Sequence, residues 1–148
     1  MSERDSRLHG SWRLLSFELE LQESKARTQP WGADPNGRLI FGADGRMMVL
    51  VTAKAREPGG TDAQQAALYR TVMAYTGRYR VDADSFIVQV DSCWNEAWNG
   101  TEQQRFYQLD GDALVVFTAW MPNPLAADNA MGRGVLGLVR ESSGLCSQ

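Results

Sequence analysis

The chain has one histidine, His9, and two cysteines, Cys93 and Cys146, in 148 residues. So small a set excludes a histidine-rich metal cluster. A zinc site would need His9, Cys93 and Cys146 to converge from three distant segments, so no metal is expected. Nor is any cofactor: Gly-x-Ser-x-Gly, Walker and dinucleotide-fingerprint patterns are all missing. A basic excess is missing too. Fifteen Lys and Arg stand against eighteen Asp and Glu, for a net charge of −3, and no basic stripe runs along the chain. Nucleic acid is therefore not an expected partner. The start, Met1 to Arg7, is polar and has no apolar h-region, and no apolar run approaches the length of a membrane span. A cytoplasmic location and no membrane partner are expected, and in that compartment the two cysteines read as free thiols.

Helix is scarce as well. Only residues 61–73 carry a helical pattern, with Thr61 or Asp62 as the cap and Ala66, Tyr69, Val72 and Met73 on one face. That helix either packs outside the rest of the fold or covers an opening as a lid. What remains is β-structure. An alternating strand runs from Gly10 to Leu21. Two apolar runs, 37–42 and 46–52, flank Asp44-Gly45, a hairpin signal because glycine accepts positive φ. Further runs lie at 74–81, 85–91, 102–109, 113–120 and 134–140, separated by Asp/Gly turns or polar loops at 22–36, 93–100 and 121–132. About eight short strands within residues 1–148 predict one all-β domain, an antiparallel up-and-down barrel with one short helix. An open sandwich is the structural rival, but it would leave edges to protect.

Strand alternation sorts the candidates for the interior. Tyr75, Gly77, Tyr79 and Val81 share one face, and Gly77 would leave space between the two tyrosines. Gln103, Arg105, Tyr107 and Leu109 share another. Neither face of that second strand is cleanly apolar, so Arg105 either enters the lumen or makes an outer salt bridge. In the first strand an inward Trp12 carries Ser16 and Glu18 with it, unless a bulge switches the phase. Leu15, Phe17, Leu19 and Leu21 would then lie outside, under the helix or at a homodimer contact. Met47, Val49, Val88, Val116 and Trp120 complete the expected lining, and Asp91 shares a face with Ile87 and Gln89.

The order and spacing of several pieces resemble the bacterial and fungal lipocalin-like domain family. They are Gly10-Ser11-Trp12-Arg13-Leu14-Leu15-Ser16-Phe17, Pro35-Asn36-Gly37-Arg38-Leu39-Ile40-Phe41, Asp44-Gly45-Arg46-Met47, Ala74-Tyr75-Thr76-Gly77-Arg78-Tyr79, Trp98-Asn99-Gly100-Thr101 continuing to Tyr107, and Leu109-Asp110-Gly111-Asp112. The resemblance implies that Trp12 plugs one end of the barrel and that Arg140 packs across it, a cation–π contact of about 1 kcal/mol. The chain departs from the family pattern at Leu138-Val139, where relatives tend towards a tryptophan. It departs again at Gln89-Val90-Asp91, where they tend to carry a histidine. No activity is carried over with the resemblance.

Three functions fit these residues. The first is a barrel that binds a small, partly polar hydrophobic or aromatic molecule through Tyr75, Tyr79, Arg105, Tyr107, Glu18, Trp120 and Met47. The mouth would lie at the 61–73 helix and the Trp94–Trp98 loop. The second is a cofactor-free isomerase, cyclase or hydratase acting on such a molecule, with Tyr79, Glu18 or Asp91 as acid or base. The third is an interaction domain whose barrel is filled.

Overall fold

The computed structural model describes residues 5–123 and 125–141. Its strands are β1 (Gly10–Leu21), β2 (Arg27–Thr28), β3 (Asn36–Phe41), β4 (Arg46–Thr52), β5 (Val72–Asp82), β6 (Ser85–Cys93), β7 (Glu102–Asp110), β8 (Ala113–Phe117), β9 (Met121–Pro122) and β10 (Met131–Arg140), with one helix, α1 (Asp62–Tyr69). They form one antiparallel sheet in the order β2-β1-β3-β4-β5-β6-β7-β8-β10-β9, and pairing of β1 with β10 closes it. Eight strands make the barrel. The two-residue strands β2 and β9 are additions, formed where polar loops were expected.

Closure removes the exposed edges that a sandwich would leave. It also gives every strand an inner and an outer face. Leu39 and Phe41 on β3, Met47, Val49 and Val51 on β4, Phe86, Val88 and Val90 on β6, and Leu114 and Val116 on β8 are buried in one continuous core. The hairpin between β3 and β4 turns at Gly45, whose φ of 89° suits glycine alone.

β1 corrects the simplest alternation. Trp12 pairs with Arg140 and Leu14 with Leu138, but the next pair is Ser16 with Gly137, so Leu15 has no partner. One extra residue reverses every later side chain. Phe17 and Leu19 therefore turn inward, and Ser16, Glu18 and Glu20 turn out. Leu19 is 2% exposed, whereas the bulged Leu15 is 47% exposed. The expected outer stripe of Leu15, Phe17, Leu19 and Leu21 does not form, and the homodimer contact built on it loses its basis.

Gly77 is also explained differently. A Cβ there would come 2.0 Å from the Gln89 carbonyl oxygen. The glycine admits the close approach of β6 at a second bulge, between Thr76 and Gly77, rather than opening the lumen. The helix is shorter than its pattern. Thr61 caps it in a capping box with Gln64, it ends at Tyr69, and Val72 and Met73 already belong to β5. No residue of α1 is buried, so it sits outside the barrel, on the connection from β4 to β5. Cys93 is an unbridged, half-buried thiol, and Cys146 lies outside the described residues.

Candidate functional site

The barrel has two chemically different ends. At one, the chain enters through a short 3-10 helix, Ser6–Leu8, capped by Asp5. Leu8 and Trp12 are completely buried there. The Trp12 indole donates to the Leu8 carbonyl at 2.9 Å, and the Arg140 guanidinium carbon lies 4.2 Å from the indole centroid. Arg140 also donates to the His9 carbonyl at 2.7 Å, to the Arg7 carbonyl and to the Asp112 carboxylate at 3.2 Å. This end is plugged, in the arrangement that Trp12 and Arg140 were expected to make.

Three of the sequence-predicted residues belong to this plugged half. The Tyr107 hydroxyl donates to the Asp5 carboxylate at 3.0 Å. Burial, with that hydrogen bond second, pushes the Tyr107 phenol up to about 12. The Asp5 carboxyl is held down to about 2, chiefly by its hydrogen bond from the Arg7 side chain. Tyr79 packs edge-on against Phe41 at 5.0 Å, and its hydroxyl meets the Gly42 carbonyl at 3.4 Å. Met47, opposite Phe41 in the ladder, is 2% exposed. All three face inward, and all three serve the packing of the plug.

Tyr75 and Arg105 lie in the other half. Arg105 is 9% exposed and Tyr75 is 5% exposed. The guanidinium carbon sits 5.9 Å from the Tyr75 ring centroid and 5.6 Å from that of Trp98. Among the described residues one acceptor takes a hydrogen bond from the Arg105 side chain, the Gln104 carbonyl at 2.9 Å from Nη1. No carboxylate among the described residues pairs with it, and no described residue hydrogen-bonds the Tyr75 hydroxyl. The other buried polar residues differ. Glu20 is paired with Arg133 at 2.8 Å, which lowers its pKa, and Ser85 bonds the Asp82 carbonyl and Gln104.

Around Arg105, rings reach outwards in sequence. Tyr75 meets Trp98 at 5.7 Å, Trp98 meets Trp94 at 5.1 Å, and Trp94 approaches Tyr69 of α1 at 6.5 Å. The Trp94–Trp98 loop is therefore at this end, as expected. Trp98 was expected at the mouth as part of that loop but not as a neighbour of Arg105, because a residue in a one-turn 3-10 helix (Glu96–Trp98) has no strand periodicity to place it. Its signal is only its position in a tryptophan-rich turn between two inward-facing strands.

Two predicted residues are outside. Glu18, reversed by the bulge, pairs with Arg27 of β2 at 3.1 Å. Trp120 lies past the end of β8, which stops at Phe117, so alternation no longer governs it. It is held on the outer wall by Arg133 at 4.4 Å and Lys25 at 4.9 Å from its ring. Asp91 is outside too, bonded to Arg46 at 2.6 Å. Among the described residues no group of His, Cys, Asp and Glu is placed to hold a metal ion, and no helix is long and apolar enough to cross a membrane.

The family model described as the lipocalin-like domain matches residues 9–140. No curated protein matches the chain.

Proposed function

The chain belongs to the lipocalin-like domain family, and from that fold and its lumen chemistry we propose that it binds one small, partly polar hydrophobic or aromatic molecule in the half of the barrel opposite Trp12. The observation that carries this is Arg105, a 9% exposed residue with one hydrogen-bond acceptor and no carboxylate partner among the described residues, beside the Tyr75 hydroxyl. The donors of both that lack a protein partner are not fully sealed from solvent. A ligand that supplies an acceptor would replace solvent at these donors, and the neighbouring Tyr75 and Trp98 rings offer it apolar contact.

Binding is favoured over catalysis by where the carboxylates lie. Glu18 and Asp91, the acid–base candidates, are ion-paired on the outer wall. Tyr79 is built into the plugged half. The lumen near Arg105 thus has donors but no described general base. A filled interaction barrel is disfavoured by the same residue, since a lumen with only a structural role is more cheaply filled by apolar side chains.

Native mass spectrometry of gently purified protein tests the proposal. The expected result is a bound organic molecule that is released on denaturation. A bare chain that also shows no change in tryptophan fluorescence with any of a panel of neutral and charged aromatic compounds overturns it.

A further inference from the structure

Resting on that binding reading, we infer that the ligand is an aromatic monocarboxylic acid whose carboxylate is held by Arg105, with the Tyr75 hydroxyl as a second donor and the Trp98 and Tyr75 rings beside it. The inference begins with charge. Arg105 is a guanidinium on a residue only 9% exposed, and its nitrogens without a protein acceptor are not fully sealed from solvent. Isolated buried charges are strongly disfavoured, and a partner of opposite sign is the usual remedy. Every other buried or half-buried arginine at the barrel wall or plug that stacks on a ring has one. Arg140, over Trp12, has Asp112. Arg133, over Phe117 and Trp120, has Glu20. Arg105, over Tyr75 and Trp98, has none among the described residues.

The number of charges then selects the head group. One cation balances one negative charge, and the planar fork of a guanidinium matches the two oxygens of a carboxylate. A phosphate dianion would bring a second charge that Arg105 alone does not balance. The Tyr75 hydroxyl, on the ring 5.9 Å from the guanidinium carbon, can donate to the same oxygens. The flanking chain of rings, Tyr75, Trp98 and Trp94, suits a flat aromatic body, which packs on ring edges and faces better than an alkyl chain does.

The test is a matched pair of probes, naphthoate and naphthalene carboxamide, which share a body and differ in charge. Affinities are measured by tryptophan fluorescence and calorimetry at pH 7 on the intact chain. Naphthoate is expected to bind at least tenfold more tightly. In Arg105→Gln the advantage should collapse to within twofold, while Arg105→Lys retains part of it. Tyr75→Phe should weaken naphthoate several-fold and leave the carboxamide less affected. Because the comparison is made first on the unaltered protein, it stands even where Arg105→Gln does not fold. Equal binding of the two probes overturns the carboxylate assignment and leaves the binding proposal intact. Preserved naphthoate preference in a folded Arg105→Gln overturns the role of Arg105. Failure of both probes to bind, with no co-purifying molecule, overturns the binding proposal and this inference together.

Discussion

Two arginines stack on tryptophans inside this barrel, and the difference between them separates structure from function. Arg140 lies 4.2 Å from Trp12 and spends its donors on the carbonyls of His9 and Arg7 and on Asp112. It ties the last strand to the entering chain. Arg105 is the more deeply buried of the two and also lies over rings, but among the described residues it has a single backbone acceptor. The first arrangement is complete within the described residues; in the proposed function a ligand completes the second. Trp12 is the residue on which the complete arrangement depends. It is fully buried, and its indole N–H is satisfied by Leu8. Trp12→Ala leaves a cavity, an empty stacking face for Arg140 and an unpaired Leu8 carbonyl, so a loss of about 3–5 kcal/mol is expected in a chemical melt. Trp12→Phe keeps most of the ring and removes the hydrogen bond, and should cost clearly less. A loss under about 1 kcal/mol for Trp12→Ala would contradict the plug.

At the scale of elements, the bulge in β1 decides which half of that strand's chemistry enters the lumen. Trp12 and Leu14 precede it and face inward, and Phe17 and Leu19 follow it on the same side only because Leu15 is skipped. Deleting Leu15 would restore strict alternation and turn Ser16, Glu18 and Glu20 into the core in place of Phe17 and Leu19. Two carboxylates turned into the core, away from their partners Arg27 and Arg133, and two hydrophobic residues turned outward cannot be accommodated, so the deletion variant should show no cooperative thermal transition by circular dichroism. Leu15→Thr, which changes only an exposed side chain, should stay within about 0.5 kcal/mol of the parent. A cooperative, near-parental melt of the deletion would show that the bulge is dispensable. The same element explains what the sequence disclosed and what it hid. The period of two put Tyr75, Tyr79 and Met47 on inner faces, because β4 and β5 keep their phase across those positions, but it left Arg105 open between the lumen and an outer salt bridge, because neither face of β7 is cleanly apolar. It misplaced Glu18 because a bulge adds a residue without changing composition, and Trp120 because the strand ends three residues before it. Trp98 lies on a turn, and the missing partner of Arg105 is a property of the whole arrangement that no single strand can reveal.

For the molecule as a whole, the plug and the ligand end are held by different forces and should respond differently to pH. The plug contains the bond from Tyr107 to Asp5, which joins β7 to the entering chain across 102 residues of sequence. The Asp5 carboxyl is lowered from its ordinary 3.8 to about 2, mainly by the Arg7 side chain and also by Tyr107. A carboxyl with a depressed native pKa stabilises the fold above its unfolded value. That increment is therefore present above pH 4 and is lost as the pH falls from about 4 to about 2. Its size is at most about 2 kcal/mol, because the Asp5 side chain is 13% exposed but its Arg7 partner is 68% exposed and screened by solvent. The Tyr107 phenol, raised from 10.0 to about 12 by burial first and Asp5 second, has the opposite sign. It favours the fold below about pH 10, and that contribution is lost as the pH rises towards 12. Urea melts of the parent, Asp5→Asn and Tyr107→Phe from pH 2 to 11 check both limbs. Asp5→Asn should be less stable at pH 7 and converge with the parent near pH 2, and Tyr107→Phe should lack the part of the alkaline decline that begins above pH 10. Ligand affinity at Arg105 should stay nearly level between pH 6 and 9, a range in which neither Asp5 nor Tyr107 titrates. Parallel stability curves for the parent and Asp5→Asn across the acid range would mean that Asp5 does not hold the plug closed.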